Sequence, residues 1–310
     1  MNSIKVFAPA TVANVACGFD IFGFAVGSPG DEIILRKKDT PGVEITHIEG
    51  DEGRLTRDPH KNTASISILA YLRHIGAEQQ GINIELYKKM PLGSGLGSSA
   101  ASTVAGVFAI NELMGRPLSQ KDLLPFAMEG ERFASGTPHA DNVAPSLLGG
   151  FVAIRSYNPL DVIKLPTPSE LVASIVHPHI EVNTRDARNI LRKETSLKNT
   201  ITQMGNVAGL VAGMIMSDYD LISRSLVDVI IEPVRAILIP GFDEVKEAAL
   251  EAGALGCSIS GAGPSIFALS RGIETAEKVG QAMQSAFRKV NIASTIYVSP
   301  VNQNGPIILG

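Results

Sequence analysis

The chain is short of positive charge, of cysteine and of aromatic side chains, and the first two shortages narrow what it can be. Its 27 Lys and Arg are outnumbered by 31 Asp and Glu, for a formal net charge of −4. No local Lys/Arg cluster offsets that balance, so a nucleic-acid partner is excluded. The only cysteines are Cys17 and Cys257. They lie far apart, with no Cys or His at metal-ligand spacing, which rules out a disulfide framework and a Cys/His metal site and reads as two reduced, buried thiols of an intracellular protein. No apolar run is long and clean enough to span a bilayer, and the opening MNSIKVFAPA enters a strand-like run without the basic and apolar segments of a signal peptide. A cytoplasmic protein with no membrane contact is expected. Tryptophan is absent, aromatics make up 5%, and no repeat or low-complexity tract occurs.

What is present is ample core material. Hydrophobic residues are 45% of 310, a globular composition, and the length suggests two domains. The most informative stretch is Pro91–Ala101, PLGSGLGSSAA, between a strand-like run (Ile82–Met90) and an apolar segment with helical spacing (Ala100–Leu113). Strand, glycine loop and helix start make a phosphate cradle. Gly93, Gly95 and Gly97 let the backbone turn through positive φ and bring N–H groups against a ligand. The helix start adds unpaired N–H donors and the positive end of a dipole, and Ser98 and Ser99 are placed to cap it while offering hydroxyls to a phosphate or its metal. The expected ligand is a nucleoside triphosphate. The loop has no Lys, so it is not a Walker A loop, and its third glycine arrives one residue early for a dinucleotide fingerprint.

Along the chain, Ile4–Phe7 reads as a strand leading into a small-residue run interrupted by Asn14 and Asp20. Two readings are open for that pair: an Asx turn or cap, or an amide and a carboxylate holding a ligand amine. Strands follow at 32–37 and 43–48. A helix from Thr63 to Ile75 has Asn62 as N-cap, and another spans Leu118–Ala134 with Ser119 and Asp122 as a capping box. Near its end Glu131 is either part of a solvated face or a ligand. His139, Asp141 and Asn142 fall within four residues in Gly136–Gly150, a segment too short to bury them for packing, and should face a cleft. A strand at 151–155 closes the first half, and Tyr157–Ser169 reads as a hinge. The second half alternates strands (171–177, 292–298, and one after the glycine turn at Gly261–Pro264) with helices near 184–192, 195–216, 218–227, 243–252 and 274–289, an α+β arrangement with helices on one face of a small sheet. The glycine turn is either a tight connection or a partner for the first loop. Thr184 and Arg188 share a helix face. Arg235, in a mostly apolar run, needs an anion or a carbonyl cluster, and pairing to an internal carboxylate is an equal reading.

Three separated motifs, APATVANVACGFD (8–20), PLGSGLGSSAAS (91–102) and SISGAGPSIFAL (258–269), resemble those of the GHMP small-molecule kinases in order and distance. The stretches GERFASGTPHADNVAPSLLGG (130–150), TRDAR (184–188) and EPVRAILIPGF (232–242) are similar to the homoserine-kinase branch. The resemblance implies an α+β, two-domain GHMP kinase fold, with a ribosomal-protein-S5-like ATP-binding half (1–156) and a ferredoxin-like half (157–310). It implies that Pro91, Leu92, Gly93, Ser94, Gly95, Leu96, Gly97, Ser98, Ser99, Ala100 and Ala101 wrap the ATP phosphates, with Asn62 counted among the nucleotide contacts. Ser98 and Glu131 would hold Mg²⁺. Asn14, Asp20, His139, Asn142, Thr184, Arg188 and Arg235 would form the pocket for L-homoserine, with Asn142 on its hydroxyl and Asp141 as an orienting or base-like neighbour. A homodimer is within this expectation. Ala16–Cys17 departs from the commoner glycine-containing spelling of the first motif. A zwitterion with a hydroxyl tail needs a cation, an anion and a guide for the hydroxyl, and all three kinds are present. The rival readings are a mevalonate- or shikimate-type kinase and a kinase-fold sensor without turnover. A sensor would have no need of Ser98 and Glu131.

Overall fold

The computed structural model describes residues 1–136 and 139–310; Thr137 and Pro138, part of the 136–150 segment, lie outside them. The chain begins with β1 (Ser3–Ala13) and the long β2 (Phe22–Lys38), followed by β3 (Val43–Glu49), α1 (Thr63–His74), β4 (Gly81–Tyr87), α2 (Ser98–Leu113), α3 (Leu124–Ser135), α4 (Ala140–Leu148), β5 (Phe151–Tyr157) and β6 (Leu160–Leu165). The remainder comprises β7 (Leu171–Pro178), α5 (Thr184–Asn189), α6 (Leu197–Met216), α7 (Tyr219–Ser225), α8 (Glu232–Arg235), α9 (Phe242–Glu251), β8 (Gly256–Ile259), β9 (Ile266–Arg271), α10 (Ile273–Lys289), β10 (Ser294–Pro300) and β11 (Ile307–Ile308).

β2 organises the first sheet because its 17 residues are long enough to serve three partners. It pairs β1 along most of its length, β4 through Glu32–Lys38, and β5 through Phe22–Phe24. Alternation puts Ile33 and Leu35 of β2 beside Val6 and Ile4 of β1 and Leu86 and Ile84 of β4, all buried on one face. Against that face lies α2, apolar nearly all round its circumference, as a helix enclosed by a sheet and by α1, α3 and α4 must be. Each fully buried Ile, Leu or Phe here contributes about 1.5–3 kcal/mol relative to exposure.

The second sheet, in order β10-β7-β9-β8, is antiparallel throughout. Its helices α9 and α10 cover one face: Val279, Met283 and Phe287 of α10 and Phe242 and Val245 of α9 share a core with Val176 and Ile266. Leu171, Ala173, Ile175, Phe267 and Leu269 face the other way and join the main core, where Phe267 meets Phe24 with ring centroids 6.1 Å apart. The two halves therefore share one apolar interior.

Two expectations are corrected. The stretch read as a hinge at Tyr157–Ser169 is mostly hairpin: β6 pairs antiparallel with β5 across Asn158–Pro159, and its Val162 and Leu165 are buried. The Asn-Pro signal marks a strand reversal within the first sheet, which consequently extends beyond residue 157. Neither Ser98 nor Ser99 caps α2. The cap position belongs to Gly97, left-handed at φ 67°, and makes no side-chain bond.

Candidate active site

A cavity of about 410 Å³ lies between the phosphate loop and the second half. Its floor is built by two glycine turns pressed together. Ser260 Oγ donates to the Gly95 carbonyl at 2.7 Å, and Ser265 N–H to the Ser94 carbonyl at 3.2 Å. A Cβ at Gly95 would stand 2.5 Å from the Ser260 carbonyl oxygen, so only glycine permits the approach. The turn at Gly261–Pro264 is thus a partner of the first loop.

At the start of α2 the two serines have different fates. Ser99 Oγ donates to Glu131 Oε2 at 2.7 Å, tying the loop to α3. Ser98 Oγ is buried and has no hydrogen-bond partner among the described residues, an arrangement expected of a group kept for a ligand. Glu131 is 5% exposed, and burial pushes its carboxyl up to about 7 against the Ser99 bond and the charge of Lys88. It lies on no solvated face. A hydroxyl and one carboxylate lining the cavity suit a magnesium ion, which takes hard oxygens and fills its remaining positions from phosphates and water. Among the described residues no cluster of three or more His, Cys, Asp or Glu forms a protein-only cage.

Sequence reasoning missed Lys88. Its ammonium, 1% exposed, pairs with the buried Asp31, donates to the Ser98 carbonyl at 2.8 Å and to Ser102 Oγ at 2.7 Å, and so braces the first turn of α2 from below. The signal was available: Ile82, Ile84, Leu86 and residue 88 share the inward phase of one strand, and Asp31, Ile33 and Leu35 that of its neighbour.

At the other end of the cavity the first motif makes an unusual turn. Asn14, Val15 and Ala16 have φ of 71°, 41° and 56°, and Asp20 is also left-handed at 59°. Non-glycine residues held there are strained and need fixing by their surroundings. Asn14 supplies it: Nδ2 donates to the Gly261 carbonyl at 2.7 Å and Oδ1 accepts from the Asp20 N–H at 3.0 Å. Arg188 Nη2 donates to both Asp20 carboxylate oxygens at 2.8 Å. Arg235 is 4% exposed and pairs with no acid among the described residues; it donates to the carbonyls of Ala187 (3.1 Å) and Gly261 (2.9 Å). Burial, then the charge of Arg188, lowers its pKa to about 10. The second residue missed from the sequence, Phe19, lies under both guanidinium groups, its ring centroid 5.4 Å from Arg188 Cζ and 5.0 Å from Arg235 Cζ. Nothing in an apolar run marks a phenylalanine for this.

On α4, Asn142 Oδ1 accepts from Thr11 Oγ1 at 2.8 Å, which leaves its amide N–H groups to face the cavity. Asp141 is 1% exposed with Oδ1 unpartnered among the described residues, and burial followed by the charge of Asp20 pushes it up to about 7. His139 Nδ1 is 3.8 Å from Asp20 Oδ1, and burial lowers its pKa.

Of the expected loop contacts, Leu92, Gly93, Ser94, Gly95, Gly97, Ser98 and Ser99 line the cavity. Leu96, Ala100 and Ala101 point into the core, and Pro91 is exposed outside the lining. Asn62 is not in the lining either: its oxygen accepts from Ala64 N–H and its amide donates to the Thr56 carbonyl, so capping α1 consumes the side chain. Lys61 and Thr63 beside it do reach the cavity. All seven expected amino-acid contacts, Asn14, Asp20, His139, Asn142, Thr184, Arg188 and Arg235, line this one space with Asp141 and Glu131.

Comparison with known proteins adds the lineage. Residues 62–150 match the GHMP kinases N terminal domain and 207–289 the GHMP kinases C terminal domain. The chain is 54% identical to a homoserine kinase of Chlorobium phaeobacteroides (strain BS1), covering 100% of each, and 40% identical to one of Xylella fastidiosa (strain M12), covering 99% of this chain and 94% of the relative. The crystal structure of homoserine kinase from Cytophaga hutchinsonii superposes with a TM-score of 0.98 at 65% identity, over 100% of this chain and 98% of the other. A mevalonate kinase from L. major, at 14% identity and a TM-score of 0.72 over 96% of each chain, shares the fold alone. The chain belongs to the GHMP kinase family, in its homoserine-kinase branch.

Proposed function

We propose that the protein transfers the γ-phosphoryl group of ATP to the side-chain hydroxyl of L-homoserine, giving O-phospho-L-homoserine on the route to threonine. The observation that carries this reading is one cavity with two chemically opposite ends: a glycine loop at a helix N-terminus, and a set of two guanidiniums and a carboxylate matched to an α-amino acid. Arg188 and Arg235 take the substrate carboxylate and Asp20 its ammonium, with Asn14, His139 and Thr184 shaping the pocket. Asn142, its oxygen already engaged by Thr11, donates an amide N–H to the hydroxyl oxygen and orients it. It cannot take the proton. Asp141, its carboxyl near 7, stands in the same cavity as the acceptor. The loop N–H groups and the end of α2 hold the phosphates, and Lys88 keeps that end in place. Ser98 and Glu131 are the residues that would hold Mg²⁺. When bound, that ion neutralises charge on the transferring phosphoryl group, the main requirement of a loose transition state.

Coupled ADP release tests the proposal, with L-homoserine, mevalonate and shikimate offered separately at equal concentration. Turnover is expected with L-homoserine alone. Turnover with either of the others and none with L-homoserine would end it.

A further inference from the structure

The two charges that the proposed function assigns to opposite ends of the substrate are bonded to each other. Asp20 and Arg188 form an ion pair through both carboxylate oxygens at 2.8 Å, with side chains 30% and 35% exposed. Asp20 is not free to drift toward its partner by chance: its N–H is held by Asn14, and its carbonyl accepts from the Tyr157 hydroxyl at 2.8 Å. Arg235 stands apart, fixed by two carbonyls and in no ion pair among the described residues, with Asp20, Asp228 and Asp141 acting on its charge only from a distance. At this end of the cavity, with His139 3.8 Å from Asp20, one anion and one cation are closed on each other, and a second cation, Arg235, is in no ion pair among the described residues. Phe19 offers its ring to both guanidiniums, so Arg188 keeps an apolar and cation–π support if it turns from Asp20 to another anion.

We propose that the Asp20–Arg188 pair is a charge latch that sets specificity by demanding both charges of a ligand at once. A carboxylate alone can use Arg235, but claiming Arg188 would strand Asp20. An ammonium alone can claim Asp20 only by stranding Arg188 beside a second cation. A zwitterion replaces both halves of the broken pair and adds the Arg235 contact. Monofunctional ligands therefore bind against a closed pair, and their apparent affinity falls by the fraction of time it is open. The proposal rests on the reading of this cavity as the L-homoserine pocket.

The test uses the full-length protein and direct calorimetric binding of three ligands: L-homoserine, 4-hydroxybutanoate (no ammonium) and 3-aminopropan-1-ol (no carboxylate). Asp20→Asn releases Arg188 and Arg188→Met releases Asp20, and unfolding midpoints verify that each variant is folded. Both should bind L-homoserine worse. Asp20→Asn should bind 4-hydroxybutanoate roughly 3- to 10-fold tighter than wild type, and Arg188→Met should gain similarly for 3-aminopropan-1-ol, the scale of a half-exposed ion pair. A merely structural pair gives losses for every ligand and no gain. If neither reciprocal gain appears while wild type still binds and phosphorylates L-homoserine, the latch is overturned and the function stands. If wild type neither binds nor phosphorylates L-homoserine, the underlying reading itself fails.

Discussion

Thr11 Oγ1 donates to Asn142 Oδ1 across 2.8 Å, joining β1 to α4 at the mouth of the phosphate loop. Thr11→Val removes the donor with little change of shape and leaves a half-buried amide oxygen unpaired, a loss of about 1 kcal/mol in the fixing of Asn142. kcat should fall roughly 10- to 100-fold with little change in KM for L-homoserine, because the hydroxyl is misaimed while both charged ends still bind. Steady-state kinetics decides it; an unchanged kcat removes Asn142 from the reaction centre.

Gly97 backs that same bond. A Cβ there would lie 2.2 Å from Thr11 Oγ1 and 2.8 Å from Asn142 Oδ1, on a backbone at φ 67°. Gly97→Ala should destabilise the fold by about 1–3 kcal/mol and reduce kcat at least as much as Thr11→Val. Denaturant midpoints and kcat measured together test both halves, and a variant of wild-type activity would refute the close approach.

Glu131→Gln keeps the shape and the Ser99 contact while withdrawing the anion. We expect kcat to fall about 100-fold or more and the Mg²⁺ concentration for half-maximal rate to rise, with L-homoserine binding altered less than 3-fold. An unshifted Mg²⁺ titration would take Glu131 out of the metal site.

Asp141 makes stability depend on pH in a defined direction. Its folded pKa of about 7 lies above its unfolded value near 3.8, so the folded chain binds the extra proton between these limits. The stabilising contribution is complete below the unfolded value, is lost as pH rises to about 7, and is level above that. Glu131, also raised to about 7, adds to the same slope. Without nucleotide or Mg²⁺, the denaturant midpoint should fall from pH 5 to 7 and then flatten, and Asp141→Asn should show a shallower fall. Parallel profiles would mean that Asp141 is not buried as a neutral acid.

Periodicity made most of the fold legible: α1 starts at its Asn62 cap and, like α6 and α10, follows apolar spacing. It misread Tyr157–Ser169 because a hairpin turn and a linker share the same Asn-Pro vocabulary. The site was legible where chemistry is local, as in the loop from Gly93 to Ser99. It was illegible where the decisive contact is long-range: Lys88 with Asp31, Thr11 with Asn142, and Phe19 beneath two arginines from distant helices. Asn62 is the reverse case, a polar residue near the cavity whose oxygen and amide its own helix start already engages.

The antiparallel pairing of Ile307–Ile308 with Val6–Phe7 sets an order on synthesis. The β1 edge of the first sheet is covered only once Ile307–Ile308, far later in the sequence than β1, have left the ribosome. The strand carrying Thr11 therefore keeps an open edge through the synthesis of everything between it and β11. Folding of the first sheet during translation stays incomplete, with a bare edge for chaperones to cover, and removing β11 should harm solubility before it harms chemistry.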